Sequence, residues 1–180
     1  MFLITTSRRS SPRVRSFIKD LAGVFPGALR TQRGHKTLRD LAIEAYVNKL
    51  KYIVVVSELY GNPRSISIYE VLEEPSLGLV KIVDLLLKGV KLSRENPLSA
   101  RIFGVETLNV DYSKCISSDC YLLADVLNRI FQSKISENPD ITVILEEGKY
   151  IEVKFQGVHG KLVGPILKVL RVVKSGEIET

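Results

Sequence analysis

The side chains with the strongest chemical character crowd the N-terminus. Residues 1–40 carry nine basic residues, Arg8, Arg9, Arg13, Arg15, Lys19, Arg30, Arg33, Lys36 and Arg39, against only Asp20 and Asp40, a local charge of +7. The rest of the chain holds 17 basic and 18 acidic residues and contributes −1. Seven of the nine are Arg, whose planar fork suits phosphate and guanine edges better than a lysine point charge does. A local, Arg-biased cluster is the electrostatic footprint of a polyanion; a solvated basic surface without a partner is the plainer alternative.

Signals for catalysis are weak. Gly157, Gly160 and Lys161 have the wrong spacing for a phosphate loop, and no G-x-G-x-x-G occurs. Of the two histidines, His35 lies inside the basic loop, as a phosphate contact or a bystander, and His159 sits between residues of a glycine-rich turn. No local signature of a serine or cysteine nucleophile is present. Glu146 and Glu147 are adjacent in a predicted hairpin, so in a strand they point to opposite faces and make no acid–base pair. Cys115 and Cys120 are too few for a disulfide scaffold, and for a zinc site unless His35 or His159 converges on them. They read as ordinary buried or half-buried thiols, although some thermophiles allow intracellular disulfides. No enzyme and no cofactor is expected.

The chain has 180 residues, a net charge of +6 and a pI near 9.3, with 45% hydrophobic and 26% charged residues. That is globular composition, enough for a real core. No stretch reaches the roughly 18 apolar residues of a membrane helix; Leu77 to Leu92 is broken by Lys81, Asp84, Lys88 and Lys91. The N-terminus is apolar first and basic afterwards, the reverse of a secretory signal, so a cytoplasmic protein is expected.

The elements that must hold the basic residues follow from periodicity. Phe2 to Thr6 predicts a strand. Pro12 after Ser11 starts a helix over 12–24, with Val14, Phe17, Ile18, Leu21 and Val24 inward. Phe25-Pro26-Gly27 ends it, and Ala28 to His35 is a basic loop or short extended piece. Thr37 and Asp40 form a capping box for a helix over 37–50 whose inner face is Leu38, Leu41, Ala42, Ala45 and Tyr46. Strands follow at Tyr52–Ser57 and Ser65–Val71; Leu77–Leu92 fits helix or long bent strand. The boundary between halves falls at 93–99, around Asn96-Pro97. The second half reads as strand Ile102–Val110, a helix capped by Ser118, a hairpin of Ile141–Leu145 with Tyr150–Phe155, and a last strand Val163–Val173. A polar tail, 175–180, is expected to be flexible. One domain is expected over 1–180, an α/β protein of two similar halves, 1–93 and 100–174, each a mixed sheet with packed helices.

Ile4-Thr5-Thr6-Ser7-Arg8, Ser11-Pro12, Phe17, Lys19, Leu21, Phe25-Pro26, Ala28, Arg30 and Arg33-Gly34 come in a distinctive order. This resembles the opening of the Brix-domain family of ribosome-biogenesis proteins. Leu38 and Leu41, the strand ending in Glu58, then Gly61, Pro63, Ile66, Ile68 and the Leu162, Gly164-Pro165 approach extend the likeness over most of the chain. Leu59 and Tyr60 depart from the pair common in the family before Gly61, and Glu73-Glu74-Pro75-Ser76 replaces its Pro-rich run. The chain lacks the long extensions of eukaryotic members and looks like the single-domain archaeal version. The branch it looks closest to belongs to the small-subunit processing ribonucleoprotein. The resemblance implies two halves similar to the anticodon-binding domains of class IIa aminoacyl-tRNA synthetases, and on it Leu77–Leu92 reads as strand. It also implies ribosomal RNA processing and subunit assembly, with RNA and assembly proteins as partners and no catalysis.

The expected site is one RNA-facing surface over residues 7–39. Ser7, Arg8, Arg9, Ser11, Arg13 and Arg15 line the strand–helix junction, and Arg30, Arg33, Lys36 and Arg39 the next loop and helix. The hydroxyls of Ser7, Ser10 and Ser11 can donate to phosphate at the positive end of the helix. Arg30 or Arg33 could equally pin the loop to Asp20 or Asp40. Without an aromatic RNA-binding pattern, Phe17, Tyr46 and Tyr52 read as core. The partners are ribosomal RNA or its precursor and other assembly proteins, with no membrane and no small-molecule substrate. A protein-binding adaptor, a tRNA-binding accessory module and an unrecognised enzyme are the alternatives.

Overall fold

The computed structural model describes residues 1–73, 75–131 and 136–175. Phe2–Thr6 form strand β1, followed by helix α1, Pro12–Val24. The Ser11 hydroxyl caps α1 by accepting the Val14 N–H, and Pro12 occupies the first turn, where its missing N–H has no partner to lose. Strand β2 is only Ala28–Arg30. Helix α2, Leu38–Val47, starts on the expected capping box: the Thr37 hydroxyl accepts the Asp40 N–H while the Asp40 carboxylate accepts the Thr37 N–H. Strands β3, Tyr52–Leu59, β4, Asn62–Leu72, and β5, Gly78–Lys91, are successive antiparallel neighbours. A 3-10 turn at Ser93–Glu95 leads towards β6, Leu108–Lys114, and α3, Ser118–Phe131. Strands β7, Ile141–Glu147, β8, Ile151–Gly157, and β9, Leu162–Lys174, complete the chain.

Among the described residues the nine strands lie in one mixed sheet, ordered β2-β1-β3-β4-β5-β9-β8-β7-β6, rather than in two separate sheets. Antiparallel pairing of β5 with β9 makes it continuous. β1 runs parallel to β2 and β3, and β6 parallel to β7. On one face α1 and α3 share a core with Phe2, Ile4, Val54, Ile68, Leu85, Val153 and Val169. Phe25, just past α1, stacks on Phe131, at the end of α3, with ring centroids 4.1 Å apart. Phe2 of β1 meets Phe131 edge-on at 4.7 Å, and Phe155 of β8 meets Phe25 at 5.3 Å. Next to this cluster α1 rests on β9 at Gly164, where φ is +64° and a Cβ would meet Val24 Cγ1 at 2.4 Å, so no larger residue fits. On the other face a smaller cluster holds α2 through Leu41 and Ala45 against Leu3, Ile53 and Val55.

Several expectations shift. Leu77–Leu92 is indeed strand, as β5. The second-half strand expected at Ile102–Val110 lies at Leu108–Lys114 instead. Gly104 turns the chain with φ +64°, and one oxygen of Asp140 accepts the N–H groups of Glu106 and Thr107 and the Thr107 hydroxyl, tying them to the start of β7 rather than to a ladder. The cap of α3 is Ser117, not Ser118, since the Ser117 hydroxyl accepts the Cys120 N–H. α2 ends at Val47, short of residue 50, because Lys49 turns left-handed at φ +55° and Leu50 bonds back to Ala45. It packs through Leu41, Ala42 and Ala45, which leaves Leu38 and Tyr46 outside the core they were expected to join; Tyr46 is 50% exposed, whereas Phe17 and Tyr52 are buried. The tail expected to be flexible falls, after Ser175, outside the described residues.

The cysteines are a further correction: Cys115 and Cys120 are joined as a disulfide, not held as thiols. The turn between β6 and α3 brings their Cα atoms to 5.4 Å, within bonding reach, and the Tyr121 hydroxyl holds the Cys115 carbonyl. Glu147 places an oxygen within 4.8 Å of both sulfurs, but it accepts the N–H groups of Ile116 and Ser117; neither histidine belongs to the group.

Two measurements test these ties. The short loop closed by the disulfide limits its stabilisation to about 2 kcal/mol, so the Cys115→Ser/Cys120→Ser variant is expected to melt roughly 5 °C lower. Dithiothreitol should bring the wild type to the same point and leave the variant unmoved. The N–H groups of Glu106 and Thr107 hold the Asp140 carboxyl below its ordinary range. Its contribution is therefore complete above the unfolded value of about 3.9 and is lost as pH falls through the depressed folded value. Asp140→Ala is expected to cost about 2 kcal/mol in urea unfolding at neutral pH, with the gap to wild type closing in acid.

Candidate functional site

Parallel pairing of β1 with β2 sets Ile4 beside Arg30, which brings the segments after both strands together. After β1, the Ser7 N–H bonds the Val56 carbonyl and the Ser7 hydroxyl donates to the Arg9 carbonyl at 3.0 Å. Arg15 on α1 reaches back to the Ser10 carbonyl at 2.6 Å. After β2, Thr31 donates its N–H to Ile4 and accepts at its carbonyl from the Thr5 hydroxyl. The Arg33 guanidinium bridges the Lys36 and Thr6 carbonyls at 2.7 and 3.3 Å, so one arginine staples the loop to the end of β1.

Between the two segments lies a cleft of about 620 Å³. Arg8 and Arg15 line it from the first segment and helix, Arg30 and Arg33 from the second. Thr6, Ser10, Thr31 and Gln32 add polar groups, Gly34 adds backbone, and Ile18 is the one large apolar side chain. No carboxylate is among the lining residues. Burial, and then the like charge of Arg8, push the Arg33 guanidinium below its ordinary pKa.

The structure sorts the ten expected residues. Arg8, Arg15, Arg30 and Arg33 converge on the cleft. Arg9 and Arg39 are exposed and lie outside its lining. Arg13 is engaged elsewhere: both of its terminal nitrogens bind the Glu95 carboxylate, and one also donates to the Val90 carbonyl. That bond raises the Arg13 pKa and lowers that of Glu95. Lys36 donates to Glu44 and Thr31, each at 2.8 Å. Ser11 is a structural joint, since besides capping α1 its hydroxyl donates to the Gly61 carbonyl at 2.7 Å and its N–H to Glu58 at 2.5 Å. The carboxylates expected as loop anchors have other work: Asp20 accepts the Ser93 N–H and Asp40 caps α2. Thr6, Ile18, Thr31, Gln32 and Gly34 were not anticipated, because their convergence depends on the β1–β2 pairing and leaves no local mark in the sequence. His35 and His159 are both exposed, and Glu146 and Glu147 point apart as expected, one to Lys114 and Lys154, the other to the α3 cap.

No protein-family model matches the chain. A probable Brix domain-containing ribosomal biogenesis protein of Aeropyrum pernix is 50% identical over 94 residues, 51% of this chain and 50% of that protein. The chain thus spans about half the length of that relative. A protein of the same description from Methanothermobacter thermautotrophicus is 35% identical over 119 residues, 62% of this chain and 73% of the relative. Among solved structures, a probable ribosomal biogenesis protein of Aeropyrum pernix superposes with a TM-score of 0.80 at 36% identity, covering 99% of this chain and 98% of the other. An archaeal Imp4-like protein shares the fold with a TM-score of 0.69 at 21% identity, over 97% and 100% of the two chains. Among the described residues no helix is long and apolar enough to cross a membrane.

The sorting of arginines is testable by stability alone. Arg13→Ala leaves Glu95 without its two-pronged partner and is expected to cost about 1 kcal/mol in urea unfolding. Arg8→Ala, on an exposed side chain, should stay within about 0.5 kcal/mol of wild type. Equal losses would mean that the two arginines do not divide into anchor and free cation.

Proposed function

The chain belongs to the Brix-domain family of ribosomal biogenesis proteins, and from that premise we propose that it is a non-catalytic RNA-binding factor of ribosome assembly whose contact surface is the arginine-lined cleft. One observation carries the reading: four arginines line a single concavity with no carboxylate among its lining residues. Elsewhere on the chain, cations such as Lys114, Lys154 and Lys168 are matched by Glu146 and Glu152. An uncompensated group of arginines has a favourable partner in a chain of phosphates, which it neutralises with release of counter-ions.

In this reading Arg8, Arg15, Arg30 and Arg33 hold phosphates, Arg9 and Arg39 extend the positive surface, and Ser7, Ser11, Arg13 and Lys36 fix its shape. Gln32, Ser10 and Thr31 offer hydrogen bonds to sugar or base. The ligand is ribosomal RNA or its precursor, the other partners are assembly proteins, and the place of action is the cytoplasm. The two halves, 1–93 and 100–174, are read as related units of the anticodon-binding kind. Supporting this, each has a strand, a helix and a parallel strand, followed by two antiparallel strands. A second role as a protein-binding adaptor draws support from Ile43, Tyr46 and Val47, apolar and exposed on α2.

Binding of a precursor ribosomal RNA transcript, titrated by fluorescence anisotropy over a range of salt, tests the site. The Arg8→Ala/Arg30→Ala variant is expected to bind more weakly and to lower the salt slope by about 1.4, roughly 0.7 for each lost phosphate contact on a single strand. An unchanged slope in a variant that folds normally would remove the cleft from the RNA contact.

A further inference from the structure

We propose that Tyr60 is a stacking platform for an unpaired RNA base, standing beside the arginine cleft. The inference rests on the RNA reading of that cleft and adds the class of RNA it takes, a single strand. Strands β3 and β4 are joined by the two residues Tyr60 and Gly61, between the paired Leu59 and Asn62. Both turn residues have positive φ, +50° and +78°, the geometry of a tight hairpin that favours Asn-Gly or Asp-Gly. Tyrosine is a poor choice there, since its Cβ crowds the backbone in the left-handed region. The other non-glycine residue with positive φ among the described residues, Lys49, sits where a helix ends, a position with its own structural reason.

The fold gains nothing visible from the tyrosine side chain. It is 93% exposed, and the one hydrogen bond at this residue is accepted by its backbone carbonyl from Asn62. A strained, solvated aromatic residue is one whose use lies outside the chain's own packing.

Its position relates it to the cleft. Glu58, just before the turn, and Gly61, within it, both bond Ser11. The preceding residue, Ser10, lines the cleft, and its carbonyl holds Arg15. The turn is thus clamped to the rim rather than free to swing. A single strand whose phosphates run along Arg8 and Arg15 can lay one unstacked base on the Tyr60 ring, an arrangement that tolerates any base. A continuous duplex keeps its bases stacked inside and offers the ring nothing.

The test uses a short single-stranded oligoribonucleotide of mixed sequence and the same sequence annealed to its complement. Tyr60→Ala is expected to weaken single-strand binding roughly ten-fold, to leave duplex binding unchanged and to keep the wild-type salt slope. Tyr60→Phe should bind as wild type. Tyr60→Asn, which suits the turn, should raise the melting temperature while weakening single-strand binding as much as Ala, a divergence that a purely structural role for the ring would not produce. Wild-type single-strand affinity in Tyr60→Ala, with Arg8→Ala/Arg30→Ala still impaired, overturns the stacking role and leaves the cleft standing. Full affinity in both variants removes the cleft reading and this one together.

Discussion

The contact between Phe25 and Phe131 joins what the chain makes far apart. Each residue ends a helix, α1 in one case and α3 in the other, and their rings stack at 4.1 Å over one face of the sheet. Phe2 and Phe155 close around them from β1 and β8. Aromatic rings bury much area each and prefer particular geometries, so four of them fix the helices along their axes as well as against the sheet. Since α1 carries Arg15 and leads out of the segment that carries Arg8, the placement of the cleft's first wall follows from this apolar cluster.

A division of labour among like residues grows from that frame. Of the cations near the N-terminus, Arg13 and Lys36 are matched by Glu95 and Glu44 and serve the fold. Arg33 does both kinds of work, stapling its loop through carbonyl oxygens while it still lines the cleft. Carbonyl partners fix its place without cancelling its charge, which a carboxylate would do. The site therefore keeps its positive potential and its rigidity at once.

What the sequence made legible was local. The apolar spacing of Val14, Phe17, Ile18 and Leu21, the Ser11-Pro12 start and the Thr37–Asp40 box each act within one or two helical turns, and the helices begin where these residues say. What escaped depended on distant partners. The displaced β6 waits on Asp140, more than thirty residues away. The exposure of Tyr46 depends on which row of α2 packs, and that row is Leu41 with Ala45, against Leu3, Ile53 and Val55. Periodicity cannot distinguish the four cleft arginines from Arg13, because that difference was made by Glu95, across the fold. Tyr60 looked like a mere departure from a family pattern until its backbone angle and exposure were known.

The seat of α1 on Gly164 bears on when the protein becomes competent during its own synthesis. Residues 6–34 contain every side chain of the cleft, yet Val24 needs the surface of β9, and Phe25 needs Phe131. Those partners come much later in the chain than the arginines. A nascent chain with only its first half outside the exit tunnel holds the arginines without the platform that sets their spacing. The basic segment therefore takes its final shape only after the residues of α3 and β9 have been made, and an unfinished copy does not present the completed cleft.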